Sequence, residues 1–121
     1  MSTVLVVEDS ITDMQVISKY LQDAGYSVVC AISSEEAQSK IDKIELDVIV
    51  LDVILPDKSG YEICRELKDN ARTSNIPVIF CSTKSSDVDK MWGNMLGADA
   101  YLAKPVDKEE LMQTLKGLIK S

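Results

Sequence analysis

VIVLDVILPDKSG, residues 48–60, is an almost unbroken apolar run that carries one carboxylate, Asp52, before Pro56, Asp57 and Gly60 break it. Continuous rather than alternating hydrophobicity over so short a span, bounded by Pro and Gly, reads as a strand covered on both faces. An unpaired carboxylate costs several kcal/mol to bury. Asp52 therefore belongs at the end of that strand, where the chain leaves the core and can supply partners.

Working outward, four more runs of the same kind occur at residues 4–7, 28–31, 78–81 and 100–103. The segments between them have helical spacing. Ile11, Met14, Ile17 and Leu21 form one stripe; Ala37, Ile41 and Ile44 a second; Tyr61, Cys64 and Leu67 a third. Val88, Met91 and Met95 form the next, and Leu111, Leu115 and Leu118 the last. Ser10, Ser34 and Asp107 suit helix starts, the latter two followed by glutamates that favour the positive end of a helix, and Gly25 suits a helix end.

Strands alternating with helices, joined by connections long enough for crossovers, make an α/β fold with a parallel sheet. Right-handed crossovers give a doubly wound sheet, for which the strand order 2-1-3-4-5 is expected. In that order strands 1 and 3 are neighbours, and ligands bind at their carboxyl ends. Glu8 and Asp9 end strand 1, Asp52 ends strand 3, Ser82 ends strand 4 and Lys104 ends strand 5.

Composition narrows the chemistry. The 121 residues are one domain's worth, and a single domain over residues 1–121 with no output domain is expected. The N-terminus lacks a signal-peptide pattern and no apolar stretch approaches membrane length, so a cytoplasmic protein without membrane insertion is expected. With no histidine, histidine metal sites and Ser-His-Asp catalysis are excluded. A net charge of −7 argues against nucleic acid and for a cation or a basic partner surface. The three cysteines, Cys30, Cys64 and Cys81, all lie in apolar segments and read as reduced core residues.

Taken singly, Asp9 and Asp52 read equally well as helix caps, Ser82 as a loop residue and Lys104 as a solvated lysine. Their joint placement on one sheet edge reads as a site. Three carboxylates in one crevice need a cation, and an all-oxygen set that shares carboxylates with a phosphate suits Mg²⁺. An ammonium and a hydroxyl complete a cradle for a phosphoryl group, and carboxylates are nucleophiles toward phosphorus.

VVEDS, DVIVLDVILPDKSGYE, PVIFCST and GADAYLAKP, in that order over the whole chain, resemble the motif blocks of the response-regulator receiver domain of two-component signalling, in its chemotaxis-receiver-like form. The resemblance implies a flavodoxin-like (βα)₅ fold and a Mg²⁺-dependent phosphoacceptor, Asp52, rather than an enzyme with turnover. It implies metal ligation by Asp9, Asp52 and the backbone carbonyl of Ile54, with Glu8 acting through a water. Lys104, before a cis Pro105, would contact the phosphoryl oxygens or the acid itself. Ser82 and Tyr101 would be the switch pair. Pro56 and Gly60 would shape the ligand loop, Gly60 with a positive φ. The phosphodonor would be a chemotaxis-type histidine kinase, and the chain a monomer acting on a downstream protein target.

The face built on the fourth helix, the fifth strand and the fifth helix is the expected output surface, with Lys90, Trp92 and Tyr101 as its candidates. The stretch around DKMWG resembles single-domain receivers that control type IV pilus motility or phototaxis. Ile54 and Lys84, two residues beyond Asp52 and Ser82, are candidates for setting phosphoryl lifetime. Three other readings compete. A flavodoxin-type electron carrier is opposed by the acids of EDSITD, which would repel a flavin phosphate. A haloacid-dehalogenase-type hydrolase needs its nucleophile on the first strand. A degenerate receiver used only for binding is weakened by the complete set of acids, hydroxyl and lysine.

Overall fold

The computed structural model describes residues 2–119, so the ends of the expected 1–121 domain lie outside the described residues. Ten elements alternate: β1 Thr3–Val7, α1 Ile11–Asp23, β2 Ser27–Ala31, α2 Ser34–Lys43, β3 Val48–Leu51, α3 Gly60–Asp69, β4 Val78–Ser82, α4 Asp87–Met95, β5 Ala100–Ala103 and α5 Lys108–Leu118. The strands form one parallel sheet in the order β2-β1-β3-β4-β5. The expected fold class and strand order are those observed. Among the described residues no helix is long and apolar enough to cross a membrane.

The sheet's two faces divide its residues by parity, because successive strand side chains point to opposite sides. Leu5, Val7, Ile49, Leu51, Val78 and Phe80 join Ala37 and Ile41 of α2 and Ile63, Cys64 and Leu67 of α3. Val4, Val6, Val48, Val50, Ile79 and Cys81 join Ile17 and Leu21 of α1 and Leu111 and Leu115 of α5. Both faces of the three central strands are therefore dry, which is why their sequences do not alternate.

Several expectations fail at the periphery. β2 is an edge strand, half-buried over most of its length, and Cys30 on it is exposed. Cys64 and Cys81 are buried, and burial pushes their thiols up to about 11 and about 12. Ile11, Ile44, Val88, Met91 and Met95 are exposed rather than core. On α4 the reason is Gly93, the helix's one buried residue. The helix meets the sheet through that small residue, so its large apolar side chains remain outside. The α2 cap is Ser33, whose hydroxyl accepts from the Glu36 N–H, and Ser34 is the first helical residue. Ser10 and Asp107 cap α1 and α5 as expected, and Gly25 follows α1 with φ 92°.

Candidate functional site

Backbone bonds one step past the strand ends lock the site residues in place. Glu8 N–H donates to the Ala31 carbonyl at 2.9 Å, Asp52 N–H to Val7 at 3.0 Å, and Lys104 N–H to Ser82 at 3.0 Å. The sheet ladder therefore carries directly into the residues that sequence reading singled out. Each of the three continues the pairing of the strand just before it.

The crevice is built around the Lys104 ammonium. It donates to Asp52 at 2.7 Å, to Asp13 at 2.9 Å and to Glu8. The side chains of Lys104 and Asp52 are each 7% exposed and that of Glu8 2%. One carboxylate oxygen from each of Glu8, Asp9 and Asp52 lies within 4.8 Å of the others. Asp9 is the exposed member of the three. The second oxygen of Asp52 accepts from the Ile54 N–H at 3.1 Å, and Glu8 also accepts from the Ser10 N–H at 3.0 Å. Among the described residues no buried side-chain polar atom lacks a partner.

Charge here exceeds what one ammonium neutralises. Burial raises the Glu8 carboxyl above its ordinary range, against the lowering effect of its bonds to Lys104 and Ser10. Burial by itself lowers the Lys104 ammonium, but its bonds to Asp52, Glu8 and Asp13 outweigh that and raise it. A cluster with spare negative charge and only oxygen donors matches a hard divalent cation. Ligand oxygens on Mg²⁺ sit about 3–4 Å apart, so these carboxylates need little movement to close on one.

Ser82 is fully buried, and its hydroxyl accepts from the Lys84 N–H at 3.1 Å. Tyr101 on β5 is half-buried, with its hydroxyl donating to the Lys84 carbonyl. Burial, then the Tyr61 hydroxyl beside it, raises the Tyr101 phenol well above its ordinary range. Lys104–Pro105 is the cis peptide expected. Lys90 is exposed and Trp92 is 48% exposed, so both stand on the surface of α4. Lys84 pairs with Asp89 at 2.8 Å. Ile54 is exposed beside the crevice.

Gly60 corrects the sequence reading. Among the described residues only Gly25 and Gly97 have positive φ. Gly60 is required by space: a Cβ there would lie 2.0 Å from the Asp52 carbonyl oxygen and 2.8 Å from Val53 Cα. The start of α3 presses against the peptide that follows the site's central acid.

Three residues escaped the sequence reading. Asp13 sits in the first turn of α1, four residues after Asp9, which precedes the Ser10 cap and lies outside the helix; its place among the acids of EDSITD offered the signal. Tyr61 read only as apolar stripe. Asp57 ties the loop after β3 to α2, accepting from Ser34 N–H at 2.9 Å, Ser34 hydroxyl at 2.7 Å and Glu35 N–H at 3.1 Å.

The Ser34 hydroxyl, then the Ser34 N–H, hold the Asp57 carboxyl down at about 2, against an ordinary 3.8. A depressed carboxyl contributes stability fully above its unfolded value and loses it as pH falls through the folded value. Asp57→Asn should therefore lower the urea midpoint at pH 6, with the gap to wild type closing between about 4 and 2. A gap independent of pH over that window would refute this clasp.

Similarity to known proteins agrees with this geometry. Residues 4–116 match the model of the response regulator receiver domain family. Protein PilH of Pseudomonas aeruginosa is 35% identical over 119 residues, covering 98% of each chain. Protein PilG of the same organism is 35% identical over 118 residues, covering 98% of this chain and 87% of that protein. The crystal structure of the chemotaxis protein CheY4 of Vibrio cholerae superposes with a TM-score of 0.90 at 36% identity, covering 98% of this chain and 99% of that one. Sheet order, acid cluster and full-length similarity converge: the chain belongs to the response regulator receiver domain family of two-component signalling, in its chemotaxis-like branch.

Proposed function

We propose that this protein is a phosphorylation switch in which Asp52 accepts a phosphoryl group from the phosphohistidine of a chemotaxis-type kinase. The observation that carries the reading is the convergence of Lys104 on Asp52, Glu8 and Asp13 beside the Glu8–Asp9–Asp52 cluster. An Asp52 oxygen attacks phosphorus, the P–N bond breaks, and its electron pair returns to the donor imidazole. The 121 residues contain no histidine, so the donor imidazole lies outside them.

Asp9, Asp52 and the Ile54 carbonyl are the residues that would hold Mg²⁺ directly, with Glu8 acting through a water. When bound, the ion neutralises charge on the phosphoryl oxygens. Lys104 already hydrogen-bonds Asp52 and orients it, so the nucleophile is set before the donor arrives. Ser82, a step from Lys84, turns its hydroxyl toward the phosphoryl oxygens, and Tyr101 reports the change to the α4–β5–α5 face. Lys90 and Trp92 on that face meet a protein target. The acceptor takes the phosphoryl group from its donor and later loses it to water, and the chain acts as a monomeric cytoplasmic signalling protein rather than turning over metabolites.

Similarity to PilH, PilG and CheY4 supports a pathway controlling pilus motility or taxis.

Intact mass after incubation with a small acyl-phosphate or phosphoramidate donor and Mg²⁺ tests the chemistry. One labile adduct is expected on wild type, lost on chelation before donor addition and absent from Asp52→Asn. An adduct of equal yield on Asp52→Asn would sink the assignment.

A further inference from the structure

Residue 93 decides where the Tyr101 ring can go. A Cβ at Gly93 would lie 2.8 Å from one edge carbon of Tyr101 and 3.2 Å from Phe80. The ring therefore occupies a socket in α4 that exists because residue 93 has no side chain. Phe80 forms its floor, 5.4 Å from the Tyr101 ring and 5.3 Å edge-on from Tyr61.

Proton counting at the hydroxyl end singles out Tyr61. The two phenols make three contacts: Tyr101 to the Lys84 carbonyl, Tyr61 to the Asp89 carbonyl at 3.2 Å, and hydroxyl to hydroxyl at 3.1 Å. Two protons serve three contacts. Tyr101 gives its proton to Lys84, so the hydroxyl–hydroxyl contact is attractive only when Tyr61 donates to Tyr101. The Asp89 carbonyl lies in the first turn of α4, where helical pairing supplies its own donor. The result is a directed chain, Tyr61 to Tyr101 to the Lys84 carbonyl. The same residue's N–H then donates to Ser82 at 3.1 Å.

We propose that Tyr61 is a latch: its hydroxyl holds Tyr101 in the Gly93 socket and, through Lys84, biases Ser82 at the crevice. Tyr61 is thus a positioning residue of the switch, supplied by α3, which lies outside the output face. The link to Ser82 rests on the reading of Asp52 as phosphoacceptor; the hold on Tyr101 does not. A ligand draws on only the fraction of molecules in the competent conformation, so releasing the latch weakens its apparent affinity by the same factor. An ordinary hydrogen bond is worth about a five-fold shift in such a balance.

The test uses protein with ¹³C-labelled tyrosine, the Tyr101 ring signal assigned by its loss in Tyr101→Phe, without donor or metal. Tyr61→Phe keeps the ring on Phe80 and removes only the hydroxyl, so the fold is preserved. In Tyr61→Phe the Tyr101 signal should move toward that of a solvent-exposed tyrosine, and in Gly93→Ala, which fills the socket, it should move further. A signal unmoved in Tyr61→Phe while Gly93→Ala displaces it overturns the latch, and a signal unmoved in both overturns the socket as well. In a second arm, Mg²⁺ and beryllofluoride, a tetrahedral phosphoryl mimic, are titrated against Trp92 fluorescence. Tyr61→Phe should bind more weakly than wild type, by up to about five-fold. Equal affinity with a displaced Tyr101 overturns the link to Ser82. A wild type that binds no mimic overturns the phosphoacceptor reading and leaves the latch to be decided by the first arm.

Discussion

Lys104→Met should destabilise the protein by about 3–5 kcal/mol at neutral pH without divalent cations, the usual result of removing one partner from a buried ion pair. The methionine fills the stem's volume but leaves Glu8 and Asp52 buried side by side with no ammonium between them. Asp13 is more exposed and is the acid least affected, since water can replace its partner. Urea unfolding measures the loss, and a double-mutant cycle identifies its source. In an Asp52→Asn background the same change should cost markedly less, because one of the orphaned charges is gone. Equal costs in the two backgrounds would mean that Lys104 acts through packing and not through charge. The phosphoryl-transfer rate from a small donor should also fall at least 100-fold, the scale on which fixed electrostatic groups act in such sites. A Lys104→Met protein that accepts phosphoryl groups at the wild-type rate would remove Lys104 from the proposed chemistry.

Gly60→Ala carries the second large effect. The methyl would collide with the Asp52 carbonyl oxygen, Val53 Cα and the Asp52 carbonyl carbon, all backbone atoms that have no rotamer by which to withdraw. Relief requires that α3 or the loop after β3 move. The Gly60 N–H bond to the Val53 carbonyl, 2.8 Å, would stretch with it. A loss of about 3 kcal/mol is expected, the upper range for overpacking, together with slower phosphoryl acceptance because the displaced peptide carries Asp52. Gly117→Ala provides the control. Gly117 lies in α5 with nothing within 4 Å of a built Cβ. Alanine there should raise stability by about 0.5–1 kcal/mol through helix propensity. Melting curves of the two variants should move in opposite directions. If Gly60→Ala shifts with Gly117→Ala, close packing is not the reason for a glycine at position 60.

The fold was legible because the strongest sequence signals are those of the sheet centre. β1, β3 and β4 are dry on both faces, so their apolar runs are continuous and their ends abrupt. The residues at those ends were the site candidates, and the ladder bonds that run past the strands bring them together. At the margins the same reasoning failed. β2 is an edge strand, paired along one side only, and α4 meets the sheet along one face; such marginal elements can carry an apolar pattern without burying all of it. Val88, Met91 and Met95 follow a helical period, yet the α4 contact is made by Gly93. Cys30 sits in an apolar run that is an edge. Sequence periodicity reports which residues share a face, but not whether a neighbour arrives to cover it.

Sequence by itself determined the alternation of elements, the parallel sheet, and the set of acids, hydroxyl and lysine at its carboxyl edge. Those follow from local periodicity and from the rule that crossover connections are right-handed. Only the tertiary structure decided that Lys104 takes Asp13 as a third partner, that Gly60 answers a close approach and not a left-handed turn, and that Tyr61 and Tyr101 share a hydroxyl contact. Each of these rests on a separation of a few ångströms between residues of different elements or of an element and a loop. Distances of that kind are set by how helices settle on a twisted sheet, and no pattern along a single strand or helix encodes them.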